Sequence, residues 1–393
     1  QFYKLYTQMS TQQKYAIIIV GAGAAGHSLA KRIAETSELR NRRVLILDKE
    51  QKLGNDRTWC FWEHGEGRFD EIITQSWNNI YFHSKYISRR LGLEPYYAYK
   101  MLRSSDFYDH TLASIESSSN VDFVIDSVVG VNAQEGIVIC SNGSYQADIV
   151  FSSKLPEDLD FSSHLYTDQH FGGWFIEFDE DVFDNEAATF MDFRIEQNDE
   201  HRFCYVLPIN RKKALVEAAI FSKNHQTKDG YDDIIKGYIE DYISKSRYSI
   251  HEKEYGVIPM TNYPFWKHNE GKIYHIGTAG GAVKPSSGYA FKRIQQHTER
   301  IIDCLKSNTS IEDSYKIFRG RHLLYDSVML HVLEEQKISG DKVFSDLFEK
   351  INVDVLLRFL DGDTNFIGDI QIMKAPRMWP FIKGMAKVIS PLK

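Results

Sequence analysis

The feature that most constrains the fold is a strand, a glycine loop and a helix near the start of the chain. Residues 15–20 (YAIIIV) form a short β-branched run of the kind that is buried in a parallel sheet. Gly21, Gly23 and Gly26 follow with the G-x-G-x-x-G spacing, and AAGHSLAKRIAE continues as a helix. A second apolar run ends at Asp48, where this fingerprint places an acid that accepts from a ribose hydroxyl. The order predicts a dinucleotide-binding βαβ unit; the alternatives are a βαβ turn without a ligand and an Asp48 that only caps a strand.

Length, charge and cysteine content narrow the class of protein. The chain has 393 residues, which suits two or three interleaved domains. Its net charge of −7 does not favour binding to nucleic acid, which is itself negatively charged. The four cysteines have no paired spacing, which argues against a zinc cluster or a disulfide framework and favours a reducing cytoplasm. The apolar runs fall short of the ~20 residues of a membrane span, and no signal peptide is visible. We therefore expect a cytoplasmic protein with no metal site and no nucleic-acid partner.

Two later segments distinguish FAD from NAD as the dinucleotide. Residues 121–153 predict a strand followed by a meander with turns at NAQEG and SNG, which is typical of the glutathione-reductase-like FAD fold. Residues 272–301 again give a strand, a glycine-rich loop and a helix, which we expect to begin near Ser287 and to offer amide donors to a ribityl chain or a flavin ring. The predicted cofactor contacts are Gly21, Gly23, Ala24, Ala25, Gly26, Asp48, Lys49, Arg57, Thr58, Val124, Gly277, Gly280, Gly281, Ser287, Gly288 and Tyr289.

The predicted fold class is α/β, with a glutathione-reductase-like (Rossmann-type) FAD domain, an inserted antiparallel β-sheet domain and a C-terminal helical region. The FAD domain is expected to be discontinuous, comprising residues 14–56, 106–153 and 271–305. Residues 57–105 and 154–270 are expected to form the substrate-binding sheet domain. Residues 306–393 are expected to form helices that cover a substrate tunnel and dock on a membrane.

A single acid interrupts the apolar run ALVEAAIF. On a strand Glu217 shares one face with Leu215, Ala219 and Phe221, whereas Val216, Ala218 and Ile220 form the other face. A carboxyl group in such a strand has its charged form disfavoured, so it keeps its proton and can serve as a general acid. The alternative is a glutamate that reaches water from an edge strand or pairs with a buried arginine.

Several ordered motifs resemble the lycopene cyclase family, most closely the β-cyclases. They are GNDRTWCFW (54–62), ATFMDFRIEQ (188–197), FCYVLPINRKKALVEAAIF (203–221) and GTAGGAVKPSSGYAF (277–291). The resemblance extends from Lys14 to the end of the chain. Ala218 and Ala219 stand where family members often have a second acid or polar residue, which leaves Glu217 without that neighbour. Thr278 stands where many FAD proteins have an aspartate.

The resemblance implies a redox-neutral, acid-initiated cyclisation of the ψ ends of lycopene, or a related linear carotenoid, to β-ionone rings. It implies reduced FAD, which either stabilises the carbocation or relays the proton, and NAD(P)H as the reductant that primes the flavin. Glu217 would be the general acid, and Trp59, Phe61 and Trp62 are candidates for a wall that stabilises a cation. Asp192 and Arg194 would lie on one side of a strand, either as catalytic residues or as a structural ion pair.

The last helical pattern suggests where the protein works. Residues 370–390 mix large apolar side chains with four basic residues and no acidic one, which favours a peripheral position on the cytoplasmic membrane over an ordinary packed helix. Two rival functions stay open at this point: an FAD-dependent hydroxylase, monooxygenase or halogenase of an apolar substrate, and a non-catalytic carotenoid-binding flavoprotein. The ring type (β, ε or γ), the number of ends cyclised and the oligomeric state also stay open.

Overall fold

The structure is a computed structural model that describes residues 13–335 and 338–389. Residues 390–393, the end of the predicted C-terminal region, lie outside the described residues. The strands are β1 (Gln13–Val20), β2 (Val44–Asp48), β3 (Thr58–Glu63), β4 (Gln75–Trp77), β5 (Asn79–His83), β6 (Ser88–Gly92), β7 (Ala98–Arg103), β8 (Val121–Ile125), β9 (Val128–Asn132), β10 (Ile137–Cys140), β11 (Ser144–Ser152), β12 (Tyr166–Phe178), β13 (Ala187–Asp192), β14 (His201–Pro208), β15 (Lys213–Phe221), β16 (Tyr248–Thr261) and β17 (Ile273–His275).

The helices cover the sheets and make up most of the last quarter of the chain. They are α1 (Ala24–Glu35), α2 (Ser104–Glu116), α3 (Lys228–Tyr242), α4 (Phe291–Ser307), α5 (Arg321–Glu334), α6 (Gly340–Lys350), α7 (Val353–Leu360), α8 (Phe366–Met373) and α9 (Met378–Ile389). In the described part of the chain, none of them is long and apolar enough to cross a membrane.

The first sheet carries the amino-terminal glycine loop. Its order is β8-β2-β1-β11-β10-β9, with β17 also paired to β11, and strands β8, β2, β1, β11 and β17 run parallel. Ile17, Ile18 and Ile19 are fully buried, because apolar side chains pack on both faces of the sheet. The predicted parallel sheet and the predicted meander, β9–β10–β11, are both confirmed. The carboxyl ends of β1, β2, β11 and β17 meet at one edge, where open α/β sheets bind their ligands.

The second sheet is mostly antiparallel and has the order β16-β12-β15-β14-β13-β5-β6. One face packs on α3 through Val216, Ala218 and Ile235. The other face packs on the C-terminal helices, where Phe82 stacks on Phe348 with ring centroids 4.5 Å apart. A three-stranded sheet, β3-β7-β4, lies beside it. The molecule is thus a mixed α/β structure with a parallel sheet, as expected, and the division of the chain into domains stays a prediction.

Candidate active site

The three glycines of the first loop differ in what a side chain would contact at each position. Gly21 has a φ of +94°, and a Cβ there would lie 2.0 Å from the Ser153 hydroxyl oxygen. A Cβ on Gly26 would lie 2.0 Å from the Gly21 carbonyl oxygen, so this glycine lets α1 pack against the loop. A Cβ on Gly23 would meet nothing within 4 Å, because the backbone there borders open space. The loop therefore makes a tight turn with an accessible backbone at the start of a helix, which suits a phosphate group.

A cavity of about 600 Å³ lies beside this loop, at the carboxyl ends of the parallel strands. Twelve of the predicted cofactor residues line it: Gly21, Gly23, Ala24, Ala25, Asp48, Lys49, Arg57, Thr58, Gly277, Ser287, Gly288 and Tyr289. Gly26, Val124, Gly280 and Gly281 are not among the lining residues. Val124 lies within the sheet beside Leu47, and Gly280 approaches the His275 carbonyl so closely that a Cβ would lie 2.3 Å from it. The structure therefore brings most of the predicted contacts together around one cavity.

Asp48 caps the glycine loop and also borders the cavity. One carboxylate oxygen accepts the Ala22 backbone N–H at 2.6 Å, and the other accepts the Glu50 N–H at 3.2 Å. The first bond holds the glycine loop, so Asp48 is a cap. The same side chain lines the cavity, where carboxylate lone pairs are placed to accept from a ligand hydroxyl.

The second glycine-rich segment differs from the expectation, because its helix begins at Phe291 rather than near Ser287. The Lys284 carbonyl accepts the N–H groups of Ser287 and Gly288 in a turn, and Gly288 has a φ of +73°. That left-handed residue ends the turn and delays the helix. A Cβ on Gly288 would lie 2.0 Å from the Gln169 side-chain oxygen. This oxygen and the Ser287 hydroxyl are buried without a partner in the described part of the protein, and both residues line the cavity.

Glu217 faces the same cavity from β15. Leu215, Ala219 and Phe221 pack in the core on its face, whereas Val216 and Ala218 pack against α3, so the predicted alternation is confirmed. Glu217 is only partly buried, because its side chain lines the cavity. The apolar strand therefore presents one carboxyl group to a space that is large enough for a ligand.

A second carboxyl group stands beside Glu217. Gly173 on β12 is paired with Glu217 on β15 and with Glu254 on β16. The neighbour comes from a distant strand, whereas the adjacent positions are alanines. The only sequence signal is HEKEYG, in which two acids alternate along a strand.

Glu254 raises the pKa of Glu217, whereas the hydrogen bond with Glu217 lowers the pKa of Glu254. Burial raises the pKa of Glu217 well above its usual range, and repulsion and hydrogen bonding with Glu254 raise it further. Burial also raises the pKa of Glu254, although the Thr58 hydroxyl, which donates to Glu254 Oε2 at 2.9 Å, opposes that rise. The pKa of Glu217 is therefore raised more strongly than that of Glu254.

Three tyrosines, of which the sequence analysis named only Tyr289, complete the wall around Glu217. Tyr99, Tyr205 and Tyr289 all line the cavity, and the hydroxyl groups of Tyr99 and Tyr289 lie 3.1 Å apart. Of the aromatic residues that the sequence proposed as a cation-stabilising wall, only Trp59 lines the cavity. Phe61 and Trp62 pack behind it, with Trp62 edge-on to Tyr289 at 4.8 Å.

A second cavity, of about 450 Å³, lies under the C-terminal helices. Its walls are almost wholly apolar and include Phe190, Met191, Met329, Phe348, Leu356 and Phe381. Ser287 and Tyr289 line both cavities. The space beside the carboxyl pair therefore adjoins a space suited to a hydrocarbon. Within residues 13–335 and 338–389, no group of three or more His, Cys, Asp or Glu side chains could hold a metal ion.

Comparison with known proteins places this arrangement in a family. The model of the lycopene cyclase protein family matches residues 16–383, nearly the whole chain. The chain belongs to the lycopene cyclase family. A comparison with curated proteins finds no significant match.

Solved structures share the fold of this cyclase family member at low sequence identity. A geranylgeranyl bacteriochlorophyll reductase-like protein from Thermoplasma acidophilum has a TM-score of 0.65 and 14% identity, covering 96% of this chain and 100% of its own. The flavin-dependent brominase Bmp2 has a TM-score of 0.60 and 13% identity, covering 95% and 99%. PqsL from Pseudomonas aeruginosa, a probable FAD-dependent monooxygenase, has a TM-score of 0.57 and 12% identity, covering 86% and 100%. These similarities establish the fold alone.

The Met-Asp-aromatic-Arg motif lies away from the carboxyl pair in this cyclase family member. The Arg194 guanidinium donates to both carboxylate oxygens of Asp192, from Nε at 2.9 and 3.1 Å and from Nη2 at 2.5 Å. Asp192 is fully buried and also accepts the Tyr238 hydroxyl from α3 at 2.8 Å. Neither Asp192 nor Arg194 lines either cavity. The predicted ion pair is confirmed, and its position favours the structural role over the catalytic one.

Proposed function

We propose that the protein is a lycopene β-cyclase, which converts the ψ ends of lycopene or a related linear carotenoid to β-ionone rings without net redox change. The observation that carries this proposal is the carboxyl group of Glu217, whose pKa is raised well above its usual range by burial and by the neighbouring Glu254. It faces a cavity that is bordered by two glycine-rich loops and continues into an apolar space. Alkene protonation needs such an acid, since a carboxyl group that ionises freely in water would not hold its proton at neutral pH.

The cavity fits FAD. The accessible Gly23 backbone at the start of α1 would bind the pyrophosphate, and Asp48 would accept from the ribose. The unpartnered oxygens of Gln169 and Ser287, with Thr278 nearby, would bind the remaining polar atoms. When bound and reduced, FAD supplies an electron-rich ring that stabilises a nearby carbocation. NAD(P)H is the reductant we propose for priming the flavin.

The protein's own groups carry the proton. Glu217 donates it to the terminal alkene, which leaves a tertiary cation, and the neighbouring double bond of the substrate attacks that cation to close the ring. A ring carbon then loses a proton, which returns to the Glu217 carboxylate, so no oxidant or reductant is consumed. Aromatic faces of Trp59 and the three tyrosines bound this space and tolerate a cation.

The second cavity would hold the rest of the polyene. Its walls are apolar, and Tyr289 stands between it and Glu217. An extended hydrocarbon that enters under the C-terminal helices would therefore reach the carboxyl pair with one end, past Tyr289. The size and chemistry of this cavity suit a carotenoid better than a polar substrate.

The outer surface of the same helices suits a membrane. A group of apolar side chains on α8 and α9, which we term the apolar patch, is exposed: Phe366, Ile367, Met378, Trp379, Ile382 and Ile389. Lys383 lies over the Trp379 ring at 5.1 Å, and Met378 and Ile382 also line the second cavity. Apolar and basic groups together favour peripheral binding to the cytoplasmic face of an anionic membrane, from which a carotenoid would enter directly.

Product analysis tests the proposed function. The wild-type gene expressed in a lycopene-accumulating host should convert lycopene to carotenoids with β-ionone rings. Purified protein with pre-reduced FAD should do the same without oxygen. Oxygen consumption that depends on the carotenoid would instead indicate a hydroxylase, and unchanged lycopene with tight binding would indicate a carrier.

The membrane proposal has a separate test. Wild-type protein should sediment with vesicles of mixed neutral and anionic lipids, and the double substitution Trp379→Ser, Ile382→Ser should lower the bound fraction about tenfold or more. Ile250→Ser, on β16, removes an exposed apolar side chain outside the patch and serves as the matched control. Equal binding of all three proteins would show that the apolar patch does not contribute to membrane binding.

A further inference from the structure

The carboxyl pair is built by strand order and by one glycine. A Cβ on Gly173 would lie 3.4 Å from Glu217 Cβ and 3.2 Å from Glu254 Cγ. The two acids therefore rise over the same glycine from the strands on either side of β12. Even a methyl group at position 173 would press on the stems of both acids, and on Leu215, whose Cδ1 it would meet at 3.0 Å. The missing side chain thus leaves room for the two acids above β12.

The surroundings of the pair distinguish its two members. The Thr58 hydroxyl donates to Glu254. The charge of Glu252 raises the pKa of Glu254, and the charge of Arg103, which pairs with Glu252, lowers it. Glu217 instead faces the cavity beside neutral groups: Tyr205, Tyr289, Cys60 and Cys204 are the titratable side chains that sense its charge. Hydrogen-bond donors thus favour a charged Glu254, and the apolar side favours a neutral Glu217.

We propose that Glu254 is a positioning residue for the reactive proton: the two carboxyl groups share a single proton, and Thr58 holds Glu254 as the ionised acceptor so that the proton stays on Glu217. This inference rests on the proposed function of Glu217 as the acid. Glu254 does not line the cavity, so it acts through Glu217 and does not contact the substrate.

The protons and charges of the pair balance over the reaction. Before transfer the pair holds one proton and one negative charge. After transfer to the alkene it holds none and carries two negative charges, of which that of Glu217 borders the cavity and that of Glu254 does not. This charge is larger than one carboxylate would supply, so the cation is stabilised as it forms. Loss of a ring proton to Glu217 restores the first state.

The test compares Glu254→Gln with wild type, using protein loaded with reduced flavin and kcat/KM measured against pH. Glu254→Gln removes the negative charge that helps Glu217 keep its proton and leaves only a neutral amide oxygen as acceptor. The alkaline limb of the profile should therefore move to lower pH by about 1–2 units. Difference infrared spectra provide a second readout: the band of a protonated carboxyl group, assigned by its absence in Glu217→Gln, should titrate at correspondingly lower pH.

Two further variants make the result decisive. Gly173→Ala keeps both acids but forces them apart, so its alkaline limb should move in the same direction by a smaller amount. Glu177→Gln makes the same chemical change on β12, where Glu177 pairs with His251 and lines neither cavity, and should keep the wild-type profile. If Glu254→Gln fails to fold or to bind flavin, Gly173→Ala decides alone.

The outcomes distinguish a failure of this inference from a failure of the proposed function on which it rests. If Glu217→Gln cyclises normally, the proposed function fails. If Glu217→Gln is inactive while Glu254→Gln and Gly173→Ala keep the wild-type limb and infrared titration, the shared proton is overturned and the proposed acid stands.

Discussion

The two faces of the second sheet each hold a carboxyl group, and each face supplies it with a different partner. On the α3 face, Asp192 is fully buried, pairs with the Arg194 guanidinium and accepts a hydrogen bond from the Tyr238 hydroxyl. On the cavity face, Glu217 has a second acid beside it. The first arrangement satisfies a charge, and the second raises the pKa of a carboxyl group. The partner, rather than burial alone, decides which of the two occurs.

The largest expected effect comes from removing the acid on the cavity face. Glu217→Gln keeps the shape of the side chain but has no proton to give, so the cyclisation rate should fall about 10²–10⁴-fold. Its thermal midpoint should stay at or above that of wild type, because an acid whose pKa is raised by a neighbouring acid does not stabilise the fold above its ordinary pKa. Product formation and thermal unfolding measured on one preparation check both. A large fall in stability would show that the two faces do not differ in this way.

Removing the acid on the α3 face should have the opposite result. Asp192→Asn leaves the Arg194 guanidinium without its anion, so the free energy of unfolding should fall by about 3 kcal/mol. The rate of cyclisation per folded, flavin-loaded molecule should not change. Denaturant unfolding and activity corrected for flavin content measure the two quantities. A normal unfolding curve with lost activity would indicate that Asp192 is catalytic rather than structural.

Local sequence patterns predicted well the features that depend on residues close together in the chain. The glycine loop, Asp48, the meander and the facing of Glu217 all depend on neighbours in sequence, since strand alternation and turn chemistry are local. The Asp192–Arg194 pair, two residues apart, is local as well. Such features can be recognised before the three-dimensional arrangement is known.

Glu254 could not be predicted because it depends on strand order. It meets Glu217 only because β15 and β16 lie on either side of β12, which brings together residues 37 positions apart through a glycine on a third strand. The start of α4 was misplaced for a related reason. Gly288 turns in the left-handed region against Gln169, a residue from β12 that sequence pattern cannot place there.

The pH dependence of stability offers a subtler test of the contrast. The folded pKa of Glu217 lies above its unfolded value. Its contribution to stability is therefore complete below the ordinary glutamate pKa of about 4.3 and is lost as pH rises toward the folded pKa. Over that range wild type should lose up to about 1.4 kcal/mol per pH unit relative to Glu217→Gln. Parallel stability curves for the two proteins would mean that the carboxyl group ionises normally.

The smallest expected effect concerns the hydrogen bond that completes the α3 face. Tyr238→Phe removes the hydroxyl that donates to Asp192 but leaves the Arg194 pair, so the free energy of unfolding should fall by about 1 kcal/mol. Tyr242→Phe is the matched control: its hydroxyl donates to the Arg194 carbonyl at 3.0 Å from an exposed position, where water replaces the lost bond and the cost should be smaller. Cyclisation should be normal in both. If Tyr238→Phe moved the pH profile of cyclisation, the two carboxyl groups would be coupled through the sheet, and the separation between a structural and a reactive face would no longer hold.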